Sequence, residues 1–406
     1  MPHPRRPRFL ALFVVLALGT IALTLWVSRP VPPRYSVTEL GSPPGYTGSS
    51  VNAINSRGDV AGSAWNPGFY PGRAFVSQGS RLIGLGIFPG GSGSKAVGVN
   101  SWGEVTGDAD LPASLRASRY GRGKRPGLAL PASPTAAHHA FLYSRGKIQD
   151  LGTLPGSTDS TGMGINDRGE IAGDATGYTP ICTPSGLPRG HAFVYSHGRM
   201  MDIGVPPGCV ESRAQSISAT GQVVGSCFLT SGLERPFLYD SRTRKMTLLA
   251  VPAPYTHGSA SQVNDKGESI GQVSTADCTC HAALWRGSRM IDLKEPPGEA
   301  NSVGWGINNQ GEAVGCCGIK NGPARAFLLF LRKHAPNVSA LQGYPNALSD
   351  HAFVYRGGKM QDLNNLIPKD AGWVLTDARG INDRGQIVGN GEHNGQERAF
   401  LLTPLR

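Results

Sequence analysis

The stretch "GINDRGEIAGDA" at residues 164–175 returns almost unchanged as "GINDRGQIVGNG" at 380–391. Five looser copies lie elsewhere: "AINSRGDVAGSA" (53–64), "GVNSWGEVTGDA" (98–109), "SISATGQVVGSC" (216–227), "QVNDKGESIGQV" (262–273) and "GINNQGEAVGCC" (306–317). Their first shared glycines are Gly58, Gly103, Gly169, Gly221, Gly267, Gly311 and Gly385, mostly 44 to 52 residues apart, with two longer gaps. Self-similarity at such a period marks a repeated building part rather than a duplicated active site. Each copy reads as a hairpin: an apolar residue, a type I turn ending in a left-handed glycine, then an alternating strand. Asn166 can bond its side chain to the backbone two residues on, and Gly169 supplies a positive φ that a Cβ would penalise. Asp167, Glu170 and Asp174 lack EF-hand spacing and the acids vary between copies, so no metal site is expected.

A second motif alternates with the first. It reads "HAFLYSRGKIQDLG" (139–152), "HAFVYSHGRMMDIG" (191–204), "HAALWRGSRMIDLK" (281–294) and "HAFVYRGGKMQDLN" (351–364), with looser copies at 73–86 and 235–249. Aromatic and β-branched residues around a tight glycine turn predict a second hairpin. Two hairpins per unit give four strands, the size of a propeller blade. The alternation of His-Ala-Phe, Asp-Leu-Gly and Ile-Asn-x-x-Gly resembles the HAF family of extracellular repeat proteins, a bacterial group named for the triplet found here at His139, His191 and His351. The resemblance runs from Tyr35 to the C-terminus; it implies an extracellular repeat protein and carries no activity with it.

The ends choose between an open solenoid and a ring. "RAFLLTPLR" (398–406) is the first strand of the second motif without its partner, and "VTELG" (37–41) aligns with "IQDLG" (148–152), so Glu39 falls where Asp150 falls. An N-terminal strand pairing beside the C-terminal one would close a ring and leave no open edge. The expectation is all-β: a seven-bladed β-propeller over residues 35–406. "RAFLLF" (325–330) opens a second motif that no Ile-Asn hairpin follows, so 325–350 reads as an insertion or blade remnant, with an eight-unit ring as the alternative. With 56 Gly and 31 Pro among 406 residues and only 17% charged, the composition also favours short strands and turns.

Arg5, Arg6 and Arg8 precede an uncharged, mostly apolar run from Phe9 to Val27. That run can just span a bilayer, and the cations favour a cytoplasmic N-terminus, so residues 1–28 read as a transmembrane signal anchor. A cleaved signal peptide ending near Ala17-Leu18-Gly19 is the rival, and the twin-arginine match at Arg5-Arg6 is poor. Residues 29–34 form a Pro-rich linker to an extracytoplasmic domain, which is expected to be a monomer. Cys182, Cys209, Cys227, Cys278, Cys280, Cys316 and Cys317 lack zinc spacing and suit disulfides in an oxidising compartment.

The net charge of +11 falls to +7 without Arg5, Arg6, Arg8 and Arg29. Arg116, Arg119, Arg122, Lys124 and Arg125, in an inserted segment at 111–137 free of acids, account for most of the remainder. Those five are candidate contacts for anionic lipids or acidic glycans; a solubilising loop is the plain alternative, and nucleic acid is not expected. Arg73, His139, His191, Arg235, His281, His351 and Arg398 occupy equivalent positions. In four units an acid follows the histidine by eleven residues, which a tight hairpin makes a diagonal cross-strand neighbour, so an intrablade pair is expected rather than a metal ring. No nucleophile elbow, zinc-protease motif or phosphate loop is present, and no catalytic residue or cofactor is assigned. The resulting functional expectation is a membrane-anchored binding or interaction module at the cell envelope. Its partners would be envelope proteins, glycans or anionic lipids; the alternative is a carbohydrate-active hydrolase or lyase with rim carboxylates.

Overall fold

The computed structural model describes residues 34–66, 69–79, 81–112, 137–177, 190–296, 299–318 and 351–405. Their strands form seven four-stranded antiparallel sheets, with one 3-10 turn at Leu363–Asn365. Six sheets take four consecutive strands from the inside outward. The third blade, for example, orders Asp159–Ile165, Ile171–Thr176, Gly190–Ser196 and Arg199–Gly204. The seventh takes Trp373–Ile381, Ile387–His393 and Gln396–Pro404, and completes itself with Tyr35–Glu39 on the outside. The register runs from Tyr35 opposite Pro404 to Glu39 opposite Phe400. Glu39 meets Arg398 Nε at 3.0 Å. The ring therefore closes through the chain ends.

Residues 325–350 lie outside the described residues, and the sixth sheet is complete without them because Ala313–Gly318 pairs directly with His351–Arg356. The expected membrane anchor at 1–28 also lies outside them; among the described residues no helix is long and apolar enough to cross a membrane.

Blades pack face to face through the second motif. Ala140, Ala192, Ala282 and Ala352 are completely buried. The first three donate their N–H to a serine on the inner strand of the following blade: Ser160 at 2.9 Å, Ser212 at 3.0 Å and Ser302 at 2.8 Å. Phe75, Phe141, Phe193, Phe237, Phe353 and Phe400 are buried to the same degree and anchor the cores between blades. Burying such a ring removes enough apolar surface to contribute roughly 2 kcal/mol or more.

The motif asparagine does more than cap its turn. Asn166 Oδ1 accepts from the N–H of Arg168 at 3.0 Å and of Glu170 at 3.1 Å, and Gly169 takes φ +72°. Its Nδ2 donates to Glu170 at 2.7 Å and across to the carbonyl of Ser218 in the next blade at 3.0 Å. The same bridge runs from Asn55 to Asn100, Asn100 to Asn166, Asn264 to Asn308, Asn308 to Asn382 and, across the chain ends, Asn382 to Asn55. Ser218 breaks the circuit: its hydroxyl still holds the Gln222 N–H at 3.1 Å but is too short to bridge to Asn264. Ser218→Asn should complete the circle and raise stability by about 1 kcal/mol, read as an upward shift of the thermal midpoint.

Candidate functional site in the central channel

Each inner strand contains a β-bulge at one equivalent position. The pairing register skips a single residue, which is Asn52, Val97, Met163, Gln215, Ser261, Trp305 or Arg379 in blades one to seven. The skipped residue stands three places before the motif asparagine, or before Ser218 in the fourth blade. A bulge frees one residue from the ladder and re-aims its side chain. All seven side chains line one channel cavity of about 350 Å³. A collar of Ile54, Val99, Ile165, Ile217 and Val263 separates it from a cavity of about 260 Å³ at the asparagine turns.

The bulge cavity is chemically mixed. The Arg379 guanidinium lies 4.6 Å from the centre of the Trp305 ring and forms an ion pair with Asp377. Trp305 Nε1 is buried and has no hydrogen-bond partner among the described residues. A buried indole N–H without a protein acceptor carries a desolvation cost. Amides of Asn52, Gln215 and Gln262, the hydroxyl of Thr161 and the charges of Lys95 and Asp108 complete the wall.

Asp108 in this wall and two carboxyls beyond it in the next blades share one electrostatic signature. Burial pushes Asp108 up, only partly countered by His138 and Lys95. Asp174, at the equivalent place in the next blade, is pushed up by burial against the pull of Arg213 and His138. Glu234 rises through burial despite a hydrogen bond from Ser226 and the charge of Arg213. A carboxyl whose folded pKa exceeds its unfolded value stabilises fully below the unfolded value, and that contribution is lost as pH rises through the folded pKa. Asp174→Asn should therefore remove one component of the stability decline between acid and neutral pH, which denaturation midpoints across that range will show. Asp292 and Asp362 behave oppositely. Burial opposes their charge, but hydrogen bonds from Lys294 and Tyr255 to Asp292, and from His351 and Asn364 to Asp362, hold both below the usual range.

The histidine positions are intrablade, as the eleven-residue spacing implies. Nδ1 lies 2.9 Å from the carboxylate for His139 and Asp150, 2.7 Å for His191 and Asp202, 3.2 Å for His281 and Asp292 and 3.4 Å for His351 and Asp362. Phe141 is the residue directly opposite Asp150, so the pair is diagonal. Arg73 and Arg235 reach forward instead to the carbonyls of Ser92 and Thr256.

Cys209 and Cys227 form a disulfide between the inner and second strands of the fourth blade, which fits an oxidising compartment. Among the described residues, Cys278 and Cys280 form no disulfide. Cys278 is exposed in a turn at φ +63°, and Cys280 Sγ lies 3.8 Å from the Cys278 carbonyl rather than against its sulfur. Cys316 and Cys317 are neighbours on the second strand of blade six, where Cys317 Sγ is 3.5 Å from the His351 carbonyl. Cys182, and the candidate surface contacts Arg116, Arg119, Arg122, Lys124 and Arg125, lie outside the described residues. The base of that basic segment is part of the fold: Leu111 and Ala137 are buried and joined by a 2.9 Å backbone hydrogen bond.

Sequence reasoning looked for function in the segments that interrupt the repeat and did not single out the bulge residues. Their signal was present: the residue three places before the motif asparagine, or before Ser218 in the fourth copy, is different in all seven copies.

No family model and no curated protein matches the chain. Solved structures match it by shape. A prolyl endopeptidase is 10% identical with a TM-score of 0.50, over 92% of this chain and 51% of that one, so this chain spans about half its length. An oligogalacturonate lyase in complex with manganese is 8% identical with a TM-score of 0.48, over 93% and 97% of the two chains. The β-propeller domain of the trilobed protease from Pyrococcus furiosus is 9% identical with a TM-score of 0.41, over 67% and 78%. At such identities the likeness concerns the fold alone, because one fold hosts many activities.

Proposed function

We propose that this protein is an extracytoplasmic binding module of the HAF type, held at the cell envelope through residues 1–28, that takes a carbohydrate in the bulge end of its channel. The observation that carries the reading is the ring of seven bulge residues around one polar cavity, with Trp305 and Arg379 stacked in its wall. An indole ring, several amides, a hydroxyl and cationic and carboxyl side chains suit a ligand with an apolar ring face and many hydroxyls. Titration of the full-length protein against a glycan panel by calorimetry tests this. Specific binding is expected, and Trp305→Ala should weaken it by about tenfold or more, near 1.4 kcal/mol. Retention unchanged by that substitution would place the site elsewhere.

One observation favours a second reading, a carbohydrate-cleaving enzyme. Asp108 lines the channel cavity, and its carboxyl, like that of Asp174 at the equivalent place in the next blade, is pushed up by burial, the direction that suits a general acid. Product formation abolished by Asp108→Asn or Asp174→Asn in a folded protein would replace the binding reading with this one.

A further inference from the structure

Arg379 stands on the wall of two cavities. One is the channel cavity; the other, of about 290 Å³, lies at the seam between the seventh and first blades. Trp65 of the first blade and Glu392, Glu397 and Arg398 of the seventh line the seam cavity. We infer that the two cavities form one elongated site for an oligosaccharide, with one sugar unit beside Trp305 in the channel and the next passing over Arg379 into the seam. The inference rests on the carbohydrate reading above and adds that the ligand is a chain.

Three features of the seam support this. Trp65 repeats at the outer end the kind of aromatic surface that Trp305 offers in the channel. Glu392 and Glu397 are directly opposite one another across the strand pair. Glu397 is exposed at the cavity wall, and its acceptor-only carboxylate suits the hydroxyl donors of a sugar. Finally, the Arg379 side chain lies between the cavities, paired with Asp377 and placed over the Trp305 ring. The shared wall thus carries its own guanidinium donors, and a ligand crossing it finds hydrogen-bonding groups on both sides.

The test is a size ladder. Full-length protein is titrated with single sugars, disaccharides and longer oligomers of an N-acetylhexosamine polymer, a hexuronate polymer and a neutral hexose polymer. One ladder is expected to gain about tenfold in affinity between its single sugar and its short oligomers. Glu397→Gln, a change at an exposed side chain that leaves the core intact, should cancel most of that gain without altering affinity for the single sugar. Trp65→Ala should do the same, with a melting curve to confirm that it folds. Trp305→Ala should weaken every member of the ladder. Binding that is flat along the ladder, or a gain that survives both seam substitutions, overturns the elongated site while leaving the channel reading in place. An absence of binding to all three ladders overturns both.

Discussion

Gly173→Ala should destabilise the protein by roughly 3 kcal/mol or more, although it adds a single methyl group. A Cβ at Gly173 would stand 2.0 Å from the Thr161 carbonyl oxygen and 2.7 Å from Cζ of Phe193. Neither neighbour can step aside: the oxygen belongs to the inner strand just before its bulge, and Phe193 is completely buried. The same contact recurs in every blade, with the inner-strand oxygen 1.9 or 2.0 Å from a Cβ built on Gly62, Gly107, Gly225, Gly271, Gly315 or Gly389. Gly84→Ala is the control, since nothing lies within 4 Å of its Cβ position and its φ is ordinary; it should be nearly neutral. Denaturant midpoints of the two variants make the comparison. Similar midpoints would mean that the bulge yields easily, and with it the claim that the bulge rigidly aims the channel residues.

That result joins two facts which look separate in the sequence. The third glycine of "GINDRGEIAGDA", Gly173, is needed because the inner strand bulges against it, and the bulge is what turns Met163 and its six counterparts into the channel. Strand count, blade count and closure were legible because they follow from local hairpin chemistry and from where Glu39 falls in the repeat. The pairing of His139 with Asp150 was legible for the same reason, both residues belonging to one hairpin. The circuit from Asn55 through Asn382 was not. Each asparagine donates to a carbonyl 44 to 74 residues away along the chain, or 327 residues away across the closure, and periodicity within a hairpin carries no information about the next blade. The site was hidden for a related reason. Trp305, Arg379 and Asp108 come from different blades and meet only when the ring closes, so no linear motif contains them. What marks them is divergence at a fixed place in a conserved frame, and a search for repeats discards that signal.

Removing the closing strand should have the largest effect on stability. Tyr35 is completely buried against Phe400, Leu402 and Leu375, and its hydroxyl accepts from Arg356 Nη2 at 3.1 Å. Its N–H bonds to the Leu366 carbonyl at 3.1 Å, which ties the strand to the connection between the sixth and seventh blades. Tyr35→Ala alone should cost about 3–5 kcal/mol through the lost ring and the cavity it leaves. Tyr35→Phe keeps the ring and should lose only about 1 kcal/mol with the hydrogen bond. Deleting Tyr35–Glu39 goes further, because Gln396–Pro404 would then present an unpaired edge and Glu39 would no longer hold Arg398 and His393. Among the described residues no other ladder joins the seventh and first blades at that seam, which would then be held by packing and by side-chain bonds such as Asn382 to Asn55 and Asn390 to Val51. The expected outcome is a thermal midpoint far below that of Tyr35→Phe, together with aggregation through the exposed edge. Because Trp65 and Glu397 face each other across this same seam, any folded remainder should also lose the longer-oligomer affinity before the single-sugar affinity. A deletion that melts like the intact protein would show that the seventh blade holds the ring shut with three strands, and closure would then be a property of the blade interfaces rather than of the chain ends.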